Sequence, residues 1–170
     1  MTKKIAVIVT DLVEDVELTS PKEALENNGY EVVLIEKEAG KEITGKKGET
    51  FTIDTTIDAV KPENFDGLLI PGGFSPDQLR SDQRFVDFVS YFLENDRPLF
   101  AICHGPQIFI QTGLTKGRTM TAYDTVRPDI EYAGATVKDQ EVVVDKQLVT
   151  SRNPDDLPAF NEKMLEVLHA

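Results

Sequence analysis

Leu99-Phe-Ala-Ile-Cys-His-Gly-Pro-Gln107 is the stretch on which the fold turns. Its continuous apolar run from Leu99 to Cys103 predicts a short strand covered on both faces. The small residues Ala101 and Gly105 then flank Cys103 in the order small-x-nucleophile-x-small. That pattern suits a turn too tight for large side chains, with the nucleophile at its apex. Pro106 to Thr112 reads as the helix that follows. The chain's one cysteine thus sits where a buried strand hands over to a helix.

The same punctuation recurs on both sides. Ile5 to Val9 is a short β-branched apolar run, again a buried strand. Ser20-Pro21 reads as N-cap and first helical position, with Glu23 completing a capping box, so a helix is predicted from there to about Asn28, stopping at Gly29. Tyr30 to Ile35 is a second strand, joined to the first by a right-handed crossover. Glu42 to Asp54 alternates around Gly45-Lys-Lys-Gly48 and predicts a hairpin at the sheet edge. Asp66 to Pro71 is a further buried strand, closed by Gly72-Gly73. Phe85, Phe88, Val89, Phe92 and Leu93 recur at helical spacing between Gln83 and Asn95, which is core packing. Thr119 to Ala122 predicts a short strand, and Arg127 to Ala133 a helix ending at Gly134. Glu141 to Val144 and Leu148 to Thr150 flank a turn, and a helix carrying Leu157, Phe160, Met164 and Leu165 closes the chain. Alternating strands and helices predict an α/β architecture: a mostly parallel central sheet with helices on both faces.

Composition bounds the function. At 170 residues, with 40% apolar and 28% charged side chains, the chain is expected to form one domain, residues 1–170, with a core that needs no disulfide or structural metal. No apolar run is long enough to span a bilayer. The start, Met-Thr-Lys-Lys and then Ile5 to Val9, imitates a signal peptide but stops at Asp11 with no cleavage site. A lone cysteine agrees with a reducing compartment, so a cytoplasmic setting is expected. One cysteine and two histidines leave no metal centre to predict, and no cofactor is expected. A net charge of −12 and an isoelectric point near 4.6 argue against nucleic acid and anionic membranes as partners. The cluster of Lys41, Lys46 and Lys47, interspersed with Glu42 and Glu49, reads as a solvated hairpin tip.

Open parallel sheets bind ligands at the carboxyl ends of their strands, and three segments reach that edge. In the first, Glu14, Asp15 and Glu17 crowd a strand end, which suggests that at least one carboxyl turns inward; buried beside a thiolate, it stays protonated and donates a hydrogen bond. In the second, Gly72-Gly73 presents backbone N–H groups that suit an oxyanion. Asp77 lies at the start of the next helix, where it serves either as a cap or as an orienting carboxylate. In the third, Cys103 is expected at a helix N-terminus that lowers its pKa. His104 is the one histidine placed to move its proton, because His169 lies in the tail.

Together these residues resemble the ThiJ/PfpI superfamily, and within it the PfpI intracellular-protease branch. The match runs through Glu14-Asp-Val-Glu-Leu18, Thr44-Gly-Lys-Lys-Gly48, Leu69-Ile-Pro-Gly-Gly73, Ala101-Ile-Cys-His-Gly-Pro-Gln107, Ala133-Gly-Ala135, Glu141-Val-Val-Val-Asp145 and Thr150-Ser-Arg152. The resemblance implies a flavodoxin-like three-layer α/β/α sandwich, assembled as homodimers or hexamers. It makes Cys103 the nucleophile, Glu17 the carboxyl bonded to its sulfur, His104 the base, and Gly72 and Gly73 the oxyanion loop. Tyr123 falls where the branch has a site tyrosine. An acid completing the site from a neighbouring subunit aligns with Asp77, where the branch usually has the longer Glu. Gly45-Lys-Lys-Gly48 departs from the usual Gly-Lys-His-Gly. Class I glutamine amidotransferases share the Cys-x-Gly-x-Gln spacing but need a later His-x-Glu, and residues 126–168 contain no histidine.

Two functions follow as expectations. The first is a cysteine-dependent enzyme acting on carbonyl carbon in stress protection, through peptide hydrolysis or glyoxalase and deglycase chemistry, with a small carbonyl compound or a peptide as substrate. The alternative is a redox-responsive stress protein or holdase whose Cys103 is oxidised to a sulfinate beside Glu17, without significant turnover.

Overall fold

The computed structural model describes residues 2–170. Along the chain run β1 (Lys4–Ile8), α1 (Asp15–Asn27), β2 (Glu31–Glu36), β3 (Glu42–Thr44), β4 (Thr50–Thr52) and β5 (Thr55–Thr56). There follow β6 (Gly67–Ile70), α2 (Ser75–Leu79), α3 (Gln83–Glu94), β7 (Leu99–Ile102) and α4 (Gln107–Thr112). The last part comprises β8 (Thr119–Met120), α5 (Val126–Tyr132), β9 (Thr136–Val137), β10 (Val143–Asp145), β11 (Leu148–Ser151) and α6 (Leu157–His169).

Seven strands form the central sheet in the order β10-β11-β7-β6-β1-β2-β5. Every neighbouring pair is parallel except β10 with β11, as the alternation of strand and helix signals predicts. Successive side chains point to opposite faces, and the core divides accordingly. Ala6, Ile8, Leu68, Ile70, Leu99 and Ala101 pack with Phe85, Phe88, Phe92, Ile108, Phe109 and Ile130 of α3, α4 and α5. Ile5, Val7, Leu69, Phe100 and Ile102 pack with Leu18, Leu25, Phe160 and Met164 of α1 and α6. The result is a three-layer α/β/α sandwich. From β1 the chain first moves outward to β2 and β5, then crosses back to β6, β7 and β11. The strand order therefore reverses between β1 and β6, the place where ligands gather in open α/β sheets.

Besides the two-residue edge strand β5, which was not expected, two elements differ from expectation. Helix α1 starts at Asp15, so Pro21 is its seventh residue and not its first, and Ser20 caps nothing. A proline inside a helix costs about 3 kcal/mol through its lost hydrogen bond and ring clash. Tertiary bonds to the first turn offset this: Asp15 accepts from the backbone N–H groups of Lys47 and Glu49, and Glu17 from that of Gly72. The second is β9, which pairs with β8 through Thr136 N–H to Arg118 O (2.8 Å) and Lys138 N–H to Met120 O (3.1 Å). Two residues carry no periodicity to read. Elsewhere the predicted hairpin of residues 42–54 is present as β3–β4, a separate two-stranded sheet. Among the described residues no helix is long and apolar enough to cross a membrane.

Candidate active site

Strand β7 delivers Cys103 at the reversal point, and the turn around it is strained. Cys103 adopts φ +63°, a left-handed conformation costing on the order of 1–3 kcal/mol for a residue with a Cβ. Its neighbours hold it there. The Cys103 N–H donates to Ser151 O at the end of β11 (3.0 Å), and its carbonyl accepts from the Tyr123 N–H (2.9 Å). Gly105 closes the turn by donating to Ile102 O (2.9 Å). A Cβ on Gly105 would lie 2.5 Å from Ile70 O and 3.0 Å from Ile102 O, which explains the small residue after the nucleophile.

The loops after β1 and β6 zip together against this turn. Glu14 N–H donates to Gly72 O (3.3 Å) and Phe74 N–H to Leu12 O (2.9 Å). Gly73, at φ +74°, has no room for a side chain because the backbone of Leu12 to Glu14 fills that space. This zipper brings the first turn of α1 beneath the sulfur. Glu17 is fully buried there, its Oε1 accepting from the Gly72 N–H (2.9 Å) and its Oε2 lacking any partner. Burial raises its pKa to about 8, against the opposing pull of the Gly72 N–H. At neutral pH Glu17 is therefore a carboxylic acid, with a proton to donate toward the neighbouring Cys103 side chain. Of the acidic cluster, Glu14 and Asp15 also turn inward.

The Cys103 thiol itself corrects an expectation. Helix α4 begins four residues later, at Gln107, so Cys103 lies outside its first turn. Burial pushes the thiol upward, and an ionised Glu17 would push it further, whereas the N–H groups of Gly73 and His104 pull it down. Thiol and carboxyl thus each hold a proton at neutral pH. The expected oxyanion loop changes too. The Gly72 N–H is committed to Glu17, which leaves the Gly73 and His104 N–H groups beside the sulfur.

His104 Nδ1 lies 3.3 Å from Cys103 Sγ, and its ring stacks on Tyr123 with centroids 4.7 Å apart. Half-burial and then the nearby Lys46 charge hold its pKa below the usual value, so the ring is neutral at pH 7 and able to accept a proton. Asp77, third in α2 and exposed, acts on His104 through space within the chain. Glu14, expected near substrate, has both oxygens occupied: Oε1 by Lys47 Nζ (3.2 Å) and Oε2 by Lys46 Nζ (3.1 Å). The basic cluster is therefore not merely a solvated tip. The hairpin that carries it is docked on the site loop. Sequence reasoning missed this; the signal was Gly45-Lys-Lys-Gly48 facing an acidic cluster across the same sheet edge.

The chain matches the model of the DJ-1/PfpI family over residues 3–167. It is 57% identical over 168 residues to the Bacillus subtilis (strain 168) protein named "Putative cysteine protease YraA", covering 99% of each chain. It is 56% identical over 172 residues to the Escherichia coli (strain K12) protein named "Protein/nucleic acid deglycase 2", covering 100% of each. Among solved structures, a two-domain protein from Anabaena variabilis with DJ-1/ThiJ/PfpI-like and ferritin-like domains superposes with a TM-score of 0.96 at 35% identity. That match spans 99% of this chain and 48% of the other.

Proposed function

The chain belongs to the DJ-1/PfpI family, and from that premise we propose that it is a cysteine-dependent protective enzyme attacking carbonyl carbon, with Cys103 as nucleophile. The observation that carries this reading is the elbow itself. Cys103 is held at φ +63° with its Sγ 3.3 Å from His104 Nδ1, within reach for proton transfer at a sulfur. As sulfur bonds to the carbonyl carbon, the thiol proton passes to His104 Nδ1. The carbonyl electron pair moves onto oxygen, where the Gly73 and His104 N–H groups meet it. Glu17 keeps its proton and donates to the sulfur, so its charge never opposes the developing thiolate. With an amide, collapse expels the amine, which takes the His104 proton, and water then hydrolyses the thioester. With an aldehyde, the same attack yields a hemithioacetal. The names of the relatives, a cysteine protease and a deglycase, span both substrate classes.

Assembly belongs to the proposal. In a homodimer or hexamer, Asp77 of the partner subunit would approach His104 and hold the imidazolium, as the ThiJ/PfpI resemblance implies. A cytoplasmic setting suits a reduced lone cysteine. The test compares the purified protein with Cys103→Ala for methylglyoxal consumption and for amine release from peptides. Loss of either activity in the variant supports the reading; equal rates in both proteins overturn it. The unpartnered Oε2 of Glu17 beside the sulfur favours one second reading, a sensor whose Cys103 sulfinate accepts the Glu17 proton. Peroxide titration followed by mass spectrometry tests it: absence of a discrete two-oxygen adduct on Cys103 rejects it.

A further inference from the structure

The β3–β4 hairpin lies outside the central sheet, yet its tip is hydrogen-bonded to the site loop at several points. Leu12 N–H donates to Thr44 O (2.9 Å) and Lys46 N–H to Val13 O (2.9 Å). Thr44 N–H donates to Asp11 Oδ1 (2.9 Å). At the centre is Asp15, a buried carboxylate whose two oxygens accept from two tip amides, Lys47 N–H (3.0 Å) and Glu49 N–H (2.9 Å). Gly45 is glycine because a Cβ there would enter the Asp15 carboxyl. Burial raises the Asp15 pKa, but these amides outweigh it and hold the net value below the ordinary range, so Asp15 stays an anion. Nothing in the catalytic reading uses it.

What the docked tip presents is Lys46. Its Nζ lies 3.1 Å from Glu14 Oε2 and 5.5 Å from the centre of the Phe74 ring, one residue beyond Gly73. We propose that Asp15 is a positioning residue, which pins the hairpin tip so that the Lys46 ammonium stands over the mouth of the site and favours the thiolate form of Cys103. The inference rests on Cys103 as the reactive group but not on any substrate. Glu17 from α1 and His104 at the turn adjoin Cys103, and Lys46 reaches the same loop from the hairpin, held by Glu14 and lying on the Phe74 ring next to Gly73. The groups facing Lys46 are Glu14, Glu17 and Cys103, and Asp77 on α2 faces His104. Lys47 holds the other oxygen of Glu14 but is the more exposed of the two lysines, whereas Lys46 is the cation that lies on the Phe74 ring, and an opposite charge nearby stabilises an anion.

The sign of one measurement separates positioning from simple charge. Asp15 is itself negative, so if only its own field mattered, removing it would ease ionisation of Cys103. If it acts by holding Lys46, removing it hinders ionisation. The experiment is the rate of Cys103 alkylation by iodoacetamide against pH, without substrate, so it can fail independently of the enzymatic reading. Lys46→Gln is expected to slow alkylation at pH 7 about five- to tenfold, close to a one-unit rise in the pH midpoint, and Lys46→Arg to restore most of the rate. Asp15→Ala is expected to slow it too, and the double variant to be no slower than Lys46→Gln alone. Gly45→Ala, which changes no charge but forces the tip away from Asp15, gives the same slowing and serves if Asp15→Ala does not fold. A parental rate in Lys46→Gln, a faster rate in Asp15→Ala, or multiplying effects in the double variant would each overturn the proposal.

Discussion

Replacing Glu17 with Gln removes one titratable group while keeping an amide oxygen to accept from the Gly72 N–H. The carboxyl of Glu17 is raised from 4.5 to about 8 in the folded protein by complete burial. A group whose pKa rises on folding contributes stability that is fully present below its unfolded value and is lost as pH climbs through its folded value. The parent protein should therefore lose stability, relative to Glu17→Gln, between about pH 4.5 and 8. The slope is about 1.4 kcal/mol per pH unit. Starting at pH 5.5, clear of the isoelectric point near 4.6, the difference should accumulate to roughly 3 kcal/mol by pH 8. Urea unfolding of both proteins under reducing conditions, at half-unit steps, measures it directly. The Cys103 thiol, pushed upward, does not titrate in that window and leaves the comparison clean. Parallel stability curves for the two proteins would show that Glu17 is ionised in the fold, and the neutral-acid role would be refuted.

Three further outcomes follow from contacts at the same site. Gly72→Ala places a Cβ 2.6 Å from Glu17 Oε1 and 2.9 Å from Cys103 Cβ. Overpacking of this kind costs about 1–3 kcal/mol, so calorimetry should show Tm lower by about 2–10 °C, with turnover lost as Glu17 is displaced. His104→Asn should lower kcat by about 10²-fold or more with little change in Tm, because the imidazole's packing partner is the partly exposed Tyr123 ring. Asp77→Glu should raise the rate several-fold by extending the carboxylate toward His104 of a second copy, and an unchanged rate would remove Asp77 from the site.

The elbow was legible because it obeys a steric rule written in residue size: Ala101 and Gly105 announce a turn that only small side chains survive. The sheet was legible because its strands are buried on both faces and read as unbroken apolar runs. The start of α1 was not, because Ser20-Pro21-x-Glu23 satisfies every local capping rule while the true first turn, residues 15–18, is stabilised by amides from Lys47, Glu49 and Gly72. Those partners are 32, 34 and 55 residues away in sequence, beyond any local pattern. The same long-range pairing turned Lys46 and Lys47 from a solvated tip into partners of Glu14. It also moved the Gly72 N–H from the oxyanion to Glu17. The thiol's surroundings escaped for a related reason: whether a helix starts one or four residues after a turn decides which N–H groups face the sulfur.

The central claim is that Cys103 forms a covalent bond to substrate carbon during turnover. Acid quenching of the protein during steady-state reaction with a peptide or with methylglyoxal, followed by mass spectrometry of the fragment carrying Cys103, tests that bond directly. Substrate-derived mass is expected on Cys103 in the parent, and neither adduct nor turnover in Cys103→Ala. Turnover that persists in the variant, with Cys103 unmodified in the parent, would contradict it.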